Sequence, residues 1–168
     1  ANIADAGIRN VEINVRPLDQ LEAIAAACKE AGVSILTLSG GVNLDQEASI
    51  DAAVSTLDAC AKLGVPIWFC SANGTELDRA IHMARLRYLG DEATARGVVI
   101  SLETHPPFCQ NADGMLQILR GVSSRWFKAN LDTGNFRTAD PYGEMARIAR
   151  LSVNCHGKVS VSPAGRPS

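Results

Sequence analysis

No apolar run in these 168 residues approaches the roughly 18–20 residues needed to cross a bilayer. Nor does a charged start lead into a short hydrophobic region of the kind that marks a secretory signal. Both absences point to a protein away from the membrane, with the cytoplasm as the expected location. The first residue is Ala1 rather than Met, so a preceding piece of chain is expected. Charge of one sign is also scarce. Sixteen basic residues against eighteen acidic ones leave a formal net charge of -2, and no positive field exists to hold a nucleic-acid backbone. The five cysteines (Cys28, Cys60, Cys70, Cys109 and Cys155) contain no C-x-x-C pair and are odd in number, which excludes a closed disulfide framework. They read as reduced, half-buried side chains. Aromatics make up only 5% of the chain, and no stripe interleaves them with basic residues.

What is present is a repeat. Gly7, Gly32, Gly64 and Gly97 each precede a β-branched residue and follow a helix-like stretch, at spacings of 25, 32 and 33 residues. That is the length of one strand and helix unit. A glycine just past a helix suits the left-handed backbone that a Cβ disfavours. Between these marks, Leu21, Ile24, Ala25 and Cys28 share a helical face, as do Ile50, Val54, Leu57 and Ala61, and then Leu77, Ile81 and Ala84. Asn111 and Asp140 are natural N-caps for two later helices, and Pro141 occupies a favoured first helical position. The intervening runs, 10–15, 35–38, 67–70, 98–102, 128–131 and 153–155, have the continuous apolar character of parallel strands covered on both faces. Six strands alternating with five helices are predicted, as a single domain over 1–168.

Such alternation means either a doubly wound open sheet or part of a (β/α)8 barrel. Val11-Glu12-Ile13-Asn14-Val15-Arg16 runs into Pro17 with no glycine-rich phosphate fingerprint, which favours the barrel. In both architectures chemistry gathers at the carboxyl ends of strands. Three consecutive strand ends carry it: Glu103-Thr104-His105, Asp132-Thr133-Gly134-Asn135 and His156-Gly157-Lys158. Two carboxylates and an imidazole suit one divalent ion (Mn, Mg, Co or Zn) and leave coordination positions open. Such an ion lowers the energy of an enediolate when a proton leaves a carbon beside a carbonyl, and Glu103 is placed to act as the base.

The segments Leu102-Glu103-Thr104-His105-Pro106 and Asn130-Leu131-Asp132-Thr133-Gly134-Asn135, with Asn111 at a helix start, resemble the sugar phosphate isomerase/epimerase family with a xylose-isomerase-like TIM barrel. The likeness extends from Gly7-Ile8-Arg9-Asn10-Val11-Glu12-Ile13, on that family's second strand, to Cys155-His156-Gly157-Lys158, on its seventh. It implies that Glu103 ligates metal and shuttles a proton, that Asp132 and His156 are further metal ligands, and that Lys158 matches a lysine following the seventh-strand motif. Asn135 stands where a substrate-contacting histidine is common. His105 and Glu12 join Asn135 and Lys158 as candidate substrate contacts. The family's first strand and its eighth, with a fourth ligand glutamate, have no counterpart in the sequence, and 159–168 read as the loop leading to the missing last unit. The expectation is therefore an incomplete barrel, inactive by itself, whose open edges favour self-association into a homo-oligomer.

The implied activity is isomerisation or epimerisation of a sugar, sugar phosphate or related polyol. A dehydratase or lyase on the same scaffold and a non-catalytic vestigial barrel are the alternatives. The DNA-repair endonuclease branch needs a histidine-rich zinc cluster, and three histidines with Ser39 and Ser71 at the third and fourth strand ends argue against it. His82 within a helical pattern, and Trp68, Phe69 and Trp126 as packing residues, are assigned structural roles.

Overall fold

A computed structural model describes residues 3–158. Among them, six strands form one parallel sheet in sequence order: β1 (Asn10–Asn14), β2 (Ser34–Asn43), β3 (Ile67–Asn73), β4 (Val99–Glu103), β5 (Phe127–Asp132) and β6 (Ser152–His156). The crossovers are α1 (Leu18–Glu30), α2 (Glu47–Leu63), α3 (Arg79–Arg96), α4 (Ala112–Val122) and α5 (Pro141–Ile148), the last followed by a 3-10 turn at Ala149–Leu151. The strands curl into a half-barrel with the helices outside, and the six strands and five helices are those expected. The segment 159–168 lies outside the described residues.

The helix stops are where the glycines placed them. Gly64 and Gly97 cap α2 and α3 with φ of 68° and 66°, the left-handed region that only glycine enters without strain. At the other ends, the Asn111 and Asp140 side chains accept the backbone N–H groups of Gly114 and Gly143 at 2.9 Å, each satisfying one orphan donor of a helix start. Pro141 follows as the first residue of α5.

Period two divides the sheet's faces. Ile100 and Leu102 of β4, Phe127 and Ala129 of β5, and Trp68 and Cys70 of β3 belong to the apolar core that also takes in residues of α2, α3 and α4. Ser101 and Glu103, then Asn130 and Asp132, alternate with them and are also buried, so the opposite face, the barrel interior, is polar. This is why the central strands β4 and β5 lack a clean hydrophobic alternation: neither of their faces meets bulk water, whereas β1 and β6 at the edges keep exposed positions.

Two helix faces differ from the sequence reading. In α2 the buried stripe is Ile50, Ala53, Leu57 and Cys60, with Ala61 exposed, because the stripe follows the 3-4-3 spacing one position back. In α3 the face of Leu77, Ile81 and Ala84 points away from the core, and Ile81 is 41% exposed. The buried residues there are His82, Leu86, Leu89, Gly90 and Ala93. A histidine occupies the core stripe because its polarity is satisfied: His82 Nε2 lies 2.7 Å from Asp45 Oδ1. The cysteines also divide more sharply than expected. Cys60, Cys70 and Cys109 are fully buried, Cys28 is half-buried and Cys155 is exposed; all are free thiols. Burial pushes the Cys60 and Cys109 thiols up to about 12, which leaves them protonated and inert at neutral pH. Trp68 is in the core rather than at the barrel mouth, and Trp126 packs against it from a half-buried position.

Asp45 fastens two mouth loops together. Its carboxylate, in the β2–α2 connection, accepts the N–H groups of Thr75 (2.7 Å), Glu76 (3.0 Å) and Leu77 (2.9 Å) in the β3–α3 connection as well as bonding His82. Burial raises the carboxyl, but the His82 bond and the three N–H groups outweigh it and hold Asp45 well below the usual carboxylate range. A depressed folded pKa gives stability that is present in full above the unfolded value and is lost as pH falls toward the folded one. The Asp45→Asn variant is therefore expected to lose melting temperature in full at pH 6–7 and progressively less as the pH falls below about 4. Parallel thermal melts across that range check it, and an equal loss at every pH would contradict it.

Candidate metal centre

Glu103 ends β4, Asp132 ends β5 and His156 ends β6. Period two aims all three inward: Glu103 follows Ser101, Asp132 follows Asn130, and His156 follows Asn154 on the same face. Asp132 and His156 are direct register partners in the sheet. Glu103 sits one strand further along, where β4 pairs with β5. The ligand atoms of these three residues all lie within 4.8 Å of one another. Two atoms that each bond one ion at about 2.0–2.4 Å are at most about 4–4.8 Å apart, so the three fit around one cation.

The carboxylates are withdrawn from water. Asp132 is fully buried and Glu103 is 8% exposed. Asp132 Oδ1 accepts the N–H of Gly134 at 2.9 Å, the Asx turn of the D-T-G segment. Its other oxygen, Oδ2, is buried and makes no hydrogen bond. Lys158 Nζ lies 3.3 Å from it and His156 Nδ1 lies 3.9 Å away, charge neighbours without hydrogen-bond geometry. Lys158 offsets its charge from the exposed side, and the hydrogen-bonding capacity left on this buried oxygen suits a cation held jointly with Glu103 and His156. The donor set of two carboxylates and one imidazole therefore fits a divalent metal on this structure's own terms.

Burial raises the Glu103 carboxyl above its ordinary value, and the adjacent Asp132 raises it further; the Ser71 hydroxyl and the His105 charge pull the other way. Asn135 donates its amide to Glu103 Oε1 at 3.2 Å and fixes that carboxylate's rotation. The Asp132–His156 edge is tied by backbone: Thr133 N donates to the His156 carbonyl at 3.1 Å, and Lys158 N donates to Thr133 Oγ1 at 2.7 Å.

Of the seven residues singled out from sequence, six are linked pairwise into one connected group. Glu103, Asp132 and His156 form the cluster, Asn135 touches Glu103, Lys158 faces Asp132, and Glu12 reaches His156 at 3.2 Å from across the open side of the sheet. His105 is exposed on the loop after β4, and its carbonyl accepts the Cys109 N–H at 2.9 Å. Two residues escaped the sequence reading. Asn154 donates to Glu12 at 3.4 Å, and Asn130 is wholly buried with neither amide atom hydrogen-bonded. Stepping back two residues from Asp132 and His156 would have found both. Phe69, assigned to packing, lies on the His156 ring with centroids 4.4 Å apart.

A parallel half-barrel with its polar groups at the carboxyl ends of the strands is the arrangement of a TIM barrel. The chain belongs to the xylose isomerase-like TIM barrel family, whose model matches residues 1–159. No curated protein matches it. Among solved structures it is similar to a xylose isomerase domain protein from Planctomyces limnophilus, with a TM-score of 0.77 and 17% identity over 90% of this chain and 64% of that one. A xylose isomerase-like TIM barrel protein from Mycobacterium smegmatis in complex with magnesium gives 0.75 and 17%, over 93% and 63%. D-psicose 3-epimerase in the presence of D-fructose gives 0.73 and 21%, over 92% and 64%. At these identities the likeness is one of fold, and the chain spans less than two thirds of each of these structures. No helix among the described residues is long and apolar enough to cross a membrane.

Proposed function

We propose that Glu103, Asp132 and His156 hold one divalent metal ion, and that the centre moves a proton next to a carbonyl in a sugar or related polyol, the chemistry of an isomerase or epimerase. The observation that carries this reading is the cluster itself: three ligand atoms within 4.8 Å of one another, around a buried Asp132 oxygen that has no hydrogen bond. The sugar-epimerase likeness supports the substrate class.

When bound, the ion would supply charge stabilisation for neighbouring carbonyl and hydroxyl oxygens of the substrate as the hydroxyl-bearing carbon beside the carbonyl loses its proton. The rest falls to the chain's own side chains. Glu103, a buried carboxylate at the edge of the cluster, is suited to take a proton from carbon and return it. Asn135 keeps Glu103 Oε1 in place. Lys158, half-exposed beside Asp132, is positioned to bind a substrate oxygen at the rim, and His105 is the exposed group of the same mouth. The three proposed ligands, Glu103, Asp132 and His156, all lie among the described residues.

Calorimetric titration with Mn2+ tests the reading. One ion per chain is expected, and Asp132→Ala should weaken its binding by more than about 100-fold, the loss of a directly ligating carboxylate. Stoichiometric binding that Asp132→Ala leaves untouched would overturn the assignment.

A further inference from the structure

Glu12 belongs to neither the ligand set nor the core, yet it is the group on β1 that reaches β6. Its Oε1 lies 3.2 Å and its Oε2 3.3 Å from His156 Nε2, a contact between residues 144 apart in the chain. Asn154 donates to Oε2 at 3.4 Å from two residues before His156. Glu12 is not a member of the three-residue cluster. The imidazole is thus addressed from both nitrogens: Nε2 faces Glu12, while Nδ1 faces Asp132 Oδ2 at 3.9 Å. A neutral imidazole carries one proton. A carboxylate at Nε2 accepts a hydrogen bond and offers none, so it holds that proton on Nε2 and leaves the Nδ1 lone pair toward Asp132. Phe69 lies on the ring at 4.4 Å and limits its rotation.

From this we infer that Glu12 is a positioning residue: it fixes His156 in the tautomer and orientation that present Nδ1 to the cation, with Asn154 holding Glu12 in turn. The inference rests on the metal-centre reading above and adds to it a role for the edge strand β1. Glu12 then acts through His156 rather than by touching substrate, in contrast to the contact expected from sequence.

The test has two readouts, one of which needs no metal. Long-range nitrogen-15 spectra of the histidines resolve the tautomer of each ring; with only three histidines in the chain, His156→Gln identifies the signal. Wild-type His156 is expected as the Nε2–H form, and Glu12→Ala should abolish that preference while His82 keeps its own signal. Mn2+ titration of Glu12→Ala should show affinity lower by about 10- to 100-fold, the loss usual when the partner of a ligating histidine is removed, with Glu12→Gln recovering part of it through its amide oxygen. An Nδ1–H tautomer in the wild type, or Mn2+ affinity unchanged in Glu12→Ala, would overturn the inference. If the wild type binds no Mn2+ but the tautomer still depends on Glu12, the metal-centre reading fails and the hold of Glu12 on His156 stands.

Discussion

Without added metal at pH 7, the Glu103→Gln variant is expected to melt above the wild-type chain, and with Mn2+ the order should reverse. The raised carboxyl of Glu103 carries the sign. A folded pKa above the unfolded one means that the folded state binds more protons between the two values, so stability falls as pH rises through that window and the deficit persists above it. Glutamine has no charge to desolvate beside Asp132, and its amide oxygen can still accept from Asn135. Replacing a functional group strained in this way typically gains about 0.5–2 kcal/mol. For a chain of this size that is roughly 2–4 °C per kcal/mol. Mn2+ at about 100 times its dissociation constant adds about 2.7 kcal/mol to a protein that binds it, and the variant, with a ligand gone, should gain little. Melting curves with and without Mn2+ decide the matter; a variant that melts lower in the absence of metal would contradict the buried-charge argument.

Leu57→Ala should have the largest effect on stability alone. Leu57 lies in α2 with no exposed surface, inside the apolar core between helices and sheet. Truncating such a side chain loses its transfer free energy and leaves a cavity, a cost of about 2–5 kcal/mol, which lowers the melting temperature by roughly 5–20 °C. Val153→Ser, on β6 at 42% exposure, should stay within about 0.5 kcal/mol of wild type. Once folded, the Leu57→Ala protein should bind Mn2+ as the wild type does, because the metal ligands project from the opposite face of the sheet. Denaturant melts combined with Mn2+ titration separate the two properties. A weakened metal site in folded Leu57→Ala would show that the faces are not independent.

Much of this was legible in short stretches of sequence. The glycines that stop α2 and α3, the Asn111 and Asp140 caps and the β-α alternation are local, because capping and left-handed turns depend on a few neighbouring residues. The segments around Glu103 and Asp132 were readable for the same reason, since the end of a strand is set by its own turn residues. The α3 face was misread because His82 counts as polar until Asp45, 37 residues earlier, is seen to bond it. Asn154 and the second side of His156 were missed because their partner, Glu12, lies on the far edge strand.

The sequence by itself therefore determined which elements form, in what order, and which chemical groups stand at the strand ends. Only the tertiary structure decided that β1 curls within reach of β6, that Asp132 Oδ2 is buried without a hydrogen bond, and that Glu12 faces His156 rather than open solvent. The reason is physical: dihedral preference and capping act over a few residues, whereas sheet curvature accumulates from twist and packing over all six strands and is a property of none of them alone.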